Sequence, residues 1–418
     1  MSILIRQVLI IDPSSPFHQQ TLDLFIHQGS IRQVGQLSVQ ADQTIDIPGL
    51  HAAPGWTDVF AHFADPGQEY RETLESGAAA AAAGGYTDVL ALPNTQPTVH
   101  NKSAVEYIVQ KSKTLPVSIH PIGAVTKNTE GKELAEMYDM HQSGAVAFGD
   151  GISPIQSSGL LLKALQYVKA IRKTIIQVPD DRSISTGGLM NEGVVSTRLG
   201  LPGMPAIGEE LMIRRDIELA KYTGSRLHIT GISTAKSAQM IRQAREEGLE
   251  ISCSVTPYHL YFCDEDLAEY DTNLKVNPPL RTRADREALV QAVIDGTIDC
   301  IATHHLPQHT DHKIVEFEYA GYGMTGLETS YAVLRTAIPQ LSPEQCVHLL
   351  SIRPRQIFDL PMPSIDADRP ACLTLFLPDA SWTVGRGNSK SGNNPFTGKE
   401  LKGKPVGIIN KDRLFLNQ

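Results

Sequence analysis

The stretch PGWTDVFAHFADPGQEYRE occupies residues 54–72 and contains the first of a series of short strand patterns, Gly55–Phe60. Seven further short runs follow along the chain, and each precedes a segment of helix-forming composition. Strands that alternate with helices are typical of repeated βα units around a parallel sheet, and eight units predict a closed (β/α)8 TIM barrel. The seven runs are Thr87–Leu92, Val117–Ile122, Ala145–Phe148, Thr174–Val178, Arg226–Thr230, Glu250–Val255 and Asp299–Thr303.

Both ends of the chain lie outside this repeat and show a different pattern of predicted secondary structure. Residues 1–52 contain short strand patterns such as ILIRQVLI, and residues 360–418 contain similar ones such as CLTLFLP. We expect the two ends to pair into one small composite β-sandwich domain, with the barrel spanning residues 53–359. A length of 418 residues suits one barrel with a small accessory domain.

Composition restricts the class of protein. A formal net charge of −9 argues against nucleic-acid binding, which needs clustered Lys and Arg. No apolar run has the length of a membrane span, and the amino terminus lacks the pattern of a signal peptide. The cysteines are odd in number and lack CxxC spacing, which favours a reducing, cytoplasmic compartment over disulfides or a thiolate zinc site. They are Cys253, Cys263, Cys300, Cys346 and Cys372.

The working residues of a TIM barrel lie at the carboxyl ends of its strands, so the segment after the first strand is informative. Residues 54–72 resemble the signature PG-[FL]-[IV]-D-x-H-x-H-x-R-x-P-G of dihydroorotases and of their relatives, the hydantoinases and allantoinases. The frame of that signature is intact. Its members here are Pro54, Gly55, Asp58, Pro66 and Gly67.

The chemical groups inside this frame are mostly absent. Phe60 stands at the position of the first metal-binding histidine, His62 keeps the second, and Ala64 replaces the substrate-binding arginine. Two histidines at positions i and i+2 of an extended segment point the same way and chelate one ion. His62 alone cannot do so.

The same pattern of loss recurs at other strand ends. AFGDGISPI resembles the family's F-x-D-D-G-x-P-V, with Asp150 at the first aspartate and Gly151 at the second. Val178 and Gly231 stand at further metal-ligand positions, and His304 replaces the aspartate that would serve as ligand and general base. The resemblance therefore implies a zinc centre that has lost most of its donors.

Other blocks follow the family closely and in the right order, which is more specific than any single motif. LPNTQPTVHN keeps Asn94 and NLKVNPPLR keeps Asn277, which the resemblance assigns to substrate binding. An asparagine at a strand end can equally cap a loop.

Hydrolysis of a cyclic amide needs a metal-activated water, because the pKa of water falls from about 15.7 to about 7 on zinc. We therefore predict a non-catalytic dihydroorotase-like protein of pyrimidine biosynthesis without a cofactor. The resemblance is to inactive homologues that pack against aspartate transcarbamoylase and hold its assembly together, which makes that enzyme the expected partner. We expect the chain to form a homo-oligomer or a hetero-oligomer. The alternative is an active cyclic-amide hydrolase with an altered or mononuclear zinc site built from His62 and His304, with Asp150 or His305 as a further ligand.

Structural roles are the alternative for several of these residues. His62 would then be a hydrogen-bonding residue beneath the barrel mouth, and His304 with His305 a solvated loop pair. His228 is expected to be a core histidine with its hydrogen bonds satisfied.

Overall fold

The computed structural model describes residues 1–417, and its centre is a sheet of eight parallel strands. Each strand pairs with the next one along the chain, and each overlaps one of the eight predicted runs. The predicted TIM barrel is confirmed. Its strands, numbered here as barrel strands 1 to 8, are Trp56–Ala61, Tyr86–Ala91, Ser118–Gly123, Ala147–Phe148, Ile175–Gln177, Leu227–Thr230, Ile251–Val255 and Cys300–Ile301.

Barrel strands 1 and 8 meet through a small set of contacts that we call the closure clasp: Asp58, His62, Thr303 and His305. The Asp58 carboxylate accepts hydrogen bonds from the Thr303 backbone N–H at 2.7 Å and from the Thr303 hydroxyl at 2.9 Å. The His62 N–H donates to the His305 carbonyl at 2.8 Å. Burial raises the pKa of Asp58 to about 6, against the lowering effect of these donors. One side chain and one backbone hydrogen bond thus complete the ring where strand 8 is only two residues long.

The first helix, Leu74–Ala83, shows how the sequence sets the layer around the barrel. Thr73 caps its amino end by accepting a hydrogen bond from the Ser76 N–H, and the helix ends at Gly84. A Cβ atom at Gly84 would lie 2.3 Å from the Leu327 carbonyl oxygen, so only glycine permits this approach. The alanines let the helix lie close against the sheet.

The remaining α-helices are Lys102–Ser112, Met137–Gln142, Ser158–Ala170, Arg182–Ser185, Val194–Leu199, Ala206–Thr223, Ala235–Glu246, Pro257–Tyr261, Arg283–Ile294, Ser330–Ala337, Pro343–Val347 and Arg353–Ile357. Shorter helical turns of other types are Lys127–Thr129, Asp264–Leu267, Thr272–Leu274, Thr310–His312 and His348–Ile352. Within residues 1–417, none of the helices combines the length and apolarity that crossing a bilayer requires.

The two ends of the chain form a second sheet of eight strands, as the sequence predicts. The join between the ends is antiparallel, with Leu373 opposite Pro54 and Leu375 opposite Ala52. The strands are Ser2–Ile10, Thr21–His27, Ser30–Gly35, Gln43–Ile45, His51–Pro54, Cys372–Thr383, Glu400–Asn410 and Arg413–Leu416. A two-stranded ribbon pairs Met190–Asn191 with Gly203–Met204.

We expect Asp58→Ala to lower the free energy of unfolding by about 3 kcal/mol, because it leaves two buried donors of Thr303 without an acceptor. Urea denaturation followed by circular dichroism measures this. Asp58→Asn keeps one acceptor oxygen and should lose less. Asp139→Ala is the control, since Asp139 is exposed and its removal should change stability by less than about 0.5 kcal/mol. Equal losses for Asp58→Ala and the control would refute the clasp.

Candidate metal centre at the barrel mouth

Phe60, at the first ligand position, lies within an apolar cluster at the carboxyl end of the barrel strands. Its side chain is buried together with Leu92, Ile176 and Val178, and Val178 is itself a ligand position of the family. The Phe60 ring also stacks on the His304 imidazole, with 4.3 Å between ring centroids. Packed hydrocarbon therefore occupies the region in which the resemblance places metal donors.

His304, which the resemblance places at the position of the catalytic aspartate, is buried and forms a hydrogen bond. The prediction of a solvated pair is wrong for both His304 and His305, which are each only 1% exposed. His304 Nε2 lies 2.8 Å from the Thr230 hydroxyl. Burial lowers the pKa of His304 to about 3, so the ring is neutral at pH 7. The prediction fails because sequence does not show that Phe60 covers this ring.

Gly231 stands at the metal-histidine position of barrel strand 6, and the space beside it is taken by His304. A Cβ atom at Gly231 would lie 2.5 Å from His304 Cε1, and the backbone there has φ +73°, which L side chains rarely adopt. Any side chain at this position must therefore displace the His304 ring.

Gly151, which follows barrel strand 4, also has a positive φ and no space for a Cβ atom. Its φ is +58°, and a Cβ atom would lie 1.8 Å from the Asn94 side-chain oxygen. Asn94 accepts from the Ile152 N–H and donates to the Asp150 carbonyl, both at 3.0 Å. The side-chain amide of Asn94 thus holds the loop after barrel strand 4 in place through two hydrogen bonds.

Asp150 is buried, but its carboxylate is bound elsewhere. It accepts from the Thr126 backbone N–H at 2.9 Å and from the Thr126 hydroxyl. Burial raises the pKa of Asp150 to about 6, although the Thr126 donors act against this.

His62 is the one histidine of the original pair. Its Nε2 lies 3.0 Å from the Asn94 carbonyl oxygen, while its buried Nδ1 has no hydrogen-bond partner. Burial, with the nearby Arg71 charge, lowers the pKa of His62 to about 4. A neutral ring that donates through Nε2 leaves a lone pair free on Nδ1.

These side chains do not assemble into a metal site. His62 engages Asn94, His304 engages Thr230 and Asp150 engages Thr126. No group of three His, Cys, Asp or Glu side chains suited to a metal ion occurs within residues 1–417. Catalytic zinc sites use three protein ligands, so the donor set at this mouth does not fit the family's zinc.

Asn277, the second expected substrate contact, points its amide at Asp180, with 3.1 Å between the nitrogen and the carboxylate oxygen. Both line a cavity of about 10 Å³, which has room for about one water. His228 is a satisfied core histidine, as expected, with Ser252 and Ser254 hydroxyls 2.8 and 3.0 Å from its two nitrogens.

A buried contact between Glu72 and His305 at the mouth is absent from the sequence-based prediction. Glu72, which ends the opening stretch, lies 3.3 Å from His305 Nε2, and neither side chain reaches solvent. Glu72 also accepts hydrogen bonds from Ser389 and from the Lys390 N–H, which tie the carboxyl-terminal segment to the mouth. Glu72 lies five residues beyond the last position of the signature, Gly67, so the signature does not indicate this contact.

Comparison with solved structures defines the class of fold. The L-hydantoinase (dihydropyrimidinase) of Arthrobacter aurescens superposes with a TM-score of 0.83 at 22% identity, covering 99% of this chain and 96% of that one. A D-hydantoinase superposes with a TM-score of 0.82 at 18% identity, covering 100% and 95%. The barrel with its terminal sheet therefore has the same fold as these hydantoinases.

Sequence relatives define the family more narrowly. A model described as dihydro-orotase-like matches residues 49–237. The chain is 38% identical over 426 residues to a dihydroorotase of Syntrophus aciditrophicus, covering 100% of both chains. It is 40% identical over 422 residues to a dihydroorotase of Pelotomaculum thermopropionicum, covering 100% of this chain and 99% of that one. The chain belongs to the dihydroorotase family.

We expect Gly231→Ala to lower the free energy of unfolding by about 3 kcal/mol, because backbone strain adds to the contact with His304. Gly248→Ala is the matched control: Gly248 has φ +81° and open space where its Cβ would lie, so it should show the backbone cost alone. In a His304→Asn background the cost of Gly231→Ala should fall to that of the control. Additive losses in this double-mutant cycle, measured by urea denaturation, would contradict the packing described.

Proposed function

We propose that this chain is a non-catalytic dihydroorotase-like protein of pyrimidine biosynthesis. The observation that carries the proposal is the packing at the ligand positions. Phe60 and Val178 offer no donor atoms, and the space beside Gly231 and Gly151 is filled by His304 and Asn94.

The chemistry of the reaction supports the same conclusion. Without a bound metal, water near pH 7 provides little hydroxide, since its pKa is about 15.7. His304 is a poor substitute as a general base because burial holds its pKa near 3 and Thr230 engages its Nε2.

We further propose that the fold is retained for its surface, with aspartate transcarbamoylase as the partner in a hetero-oligomer. Large apolar side chains are exposed on the segments that follow the carboxyl ends of barrel strands 5 and 8. Val194 is 84% exposed, Ile314 is 79% exposed and Tyr319 is 73% exposed. A protein contact would bury this apolar surface.

One observation favours a second candidate, an active cyclic-amide hydrolase with a mononuclear metal. The buried Nδ1 of His62 has no partner, and such an atom is available to a metal ion. The relatives named above are dihydroorotases, and His304 and Asp150 would have to leave their present partners to complete the site.

Metal content and turnover of the purified full chain separate the two candidates. We expect less than about 0.1 zinc per chain, no dihydroorotate hydrolysis with added zinc, and no change in melting temperature with chelator, because three ligands are needed. The dihydroorotase of Syntrophus aciditrophicus, assayed in parallel, is the positive control. Stoichiometric zinc together with turnover that chelator abolishes would overturn the proposal and establish the second candidate.

The partner proposal is tested by mixing the chain with aspartate transcarbamoylase of the same organism and measuring complex formation by analytical ultracentrifugation. Tyr319→Asp should weaken the complex at least about tenfold, because it places a charge in an apolar contact. Tyr222→Asp is the matched control: Tyr222 is 76% exposed, but it ends a helix that leads into the amino end of barrel strand 6. Absence of a complex, or equal weakening by both variants, would contradict the proposal.

A further inference from the structure

A second cavity lies at the opposite end of the barrel, between the amino ends of barrel strands 2 and 3 and the terminal sheet. Its volume is about 510 Å³, and it is lined by Asp88, His120, Arg355, Met362, Arg369 and Lys411, among others. Small-molecule sites typically measure about 300–1,000 Å³ and occur preferentially at the boundary between two structural units. This cavity has a volume in that range and lies between the barrel and the terminal sheet. The cavity beside Asn277 has room for only about one water.

The acidic group of the cavity is already neutralised. Asp88 lies 2.5 Å from a terminal nitrogen of Arg355 and 2.8 Å from Nε2 of His120. Although burial acts to raise it, the pKa of Asp88 is held well below its usual range, chiefly by the Arg355 charge. The Arg355 side chain is 2% exposed and donates to the Gly55 and Pro361 carbonyls as well, which fixes this wall.

The rim of the cavity is basic. Arg369 and Lys411 are exposed, and neither has an acidic side chain within salt-bridge distance among residues 1–417. Because Arg355 balances the charge of Asp88, Arg369 and Lys411 give the lining of the cavity a net positive charge. The chain as a whole has a net charge of −9. An anion entering the cavity meets net positive charge.

The remaining wall is apolar and conformationally restricted. Pro361, Met362, Pro363 and Pro370 line it, and Met362 is 50% exposed. Proline fixes its backbone φ, so this wall loses little conformational entropy when a ligand binds. Methionine adapts its shape to an apolar group.

We propose that this cavity binds a small organic anion, with its carboxylate, phosphate or sulfonate between Arg369 and Lys411 and a flat apolar body against the proline wall. The site is remote from the barrel mouth and independent of whether the mouth is catalytic. Its polar and apolar walls together define the class of ligand, because neither a bare inorganic anion nor a neutral hydrocarbon satisfies both.

The test uses the full chain and a fluorescent aromatic anion, anilinonaphthalene sulfonate. We expect saturable binding with one site per chain, and about tenfold weaker binding in the double variant Arg369→Glu/Lys411→Glu, which removes both charge-assisted contacts. Lys102→Glu/Lys163→Glu makes the same change in net charge at exposed positions outside the cavity and should bind as the wild type does. The neutral analogue N-phenylnaphthylamine should bind at least about tenfold more weakly than the anion.

A cavity-filling variant, Ser118→Phe, provides a second readout and should abolish binding of the anion. If circular dichroism shows that this variant does not fold, the charge variants decide alone, because Arg369 and Lys411 are exposed. Equal affinities for the rim and control variants, equal affinities for the anionic and neutral probes, or the absence of a saturable site would each overturn the proposal.

Discussion

The hydrogen bonds from Thr303 to the Asp58 carboxylate are the constraint on which the rest of the molecule depends. A barrel exists only if its first and last strands join. Barrel strand 8 is two residues long, and the contacts to strand 1 are made by Thr303 and His305, which follow it. The same closure sets the positions of the residues that follow each strand. Phe60 comes two residues after Asp58 and His304 directly follows Thr303, so joining the strands brings the two rings into contact.

Once the rings meet, the barrel interior satisfies its own polar groups. A chain of hydrogen bonds runs from Ser252 through His228, Ser254 and Thr230 to His304, with neighbouring atoms 2.8 to 3.0 Å apart. Buried neutral histidines need partners rather than charges, and these hydroxyls supply them. The apolar ring of Phe60 stacks on His304, at the end of this series of hydrogen bonds. A centre of this kind satisfies its polar groups without an ion, whereas carboxylates clustered at one site repel one another until a cation binds.

The sequence was sufficient for the barrel because strand and helix patterns alternate in order and each helix follows its strand. Through the resemblance, the sequence also predicts which positions lack metal donors, since this prediction depends on single residues such as Phe60 and Gly231. It could not show what fills the space they leave. The burial of His304 and His305 depends on contacts with Phe60 and Glu72, which lie more than two hundred residues away in the chain, and local patterns carry no record of such pairs.

The signature of the family therefore contains two kinds of residue, and only one kind concerns chemistry. Asp58 joins barrel strands 1 and 8 through Thr303, a role that requires no metal donor nearby. Asn94 fixes the loop after barrel strand 4 through its side-chain amide, which is likewise a structural role. The intact frame is thus accounted for by what the barrel needs in order to fold, and the frame by itself carries no argument for or against hydrolysis.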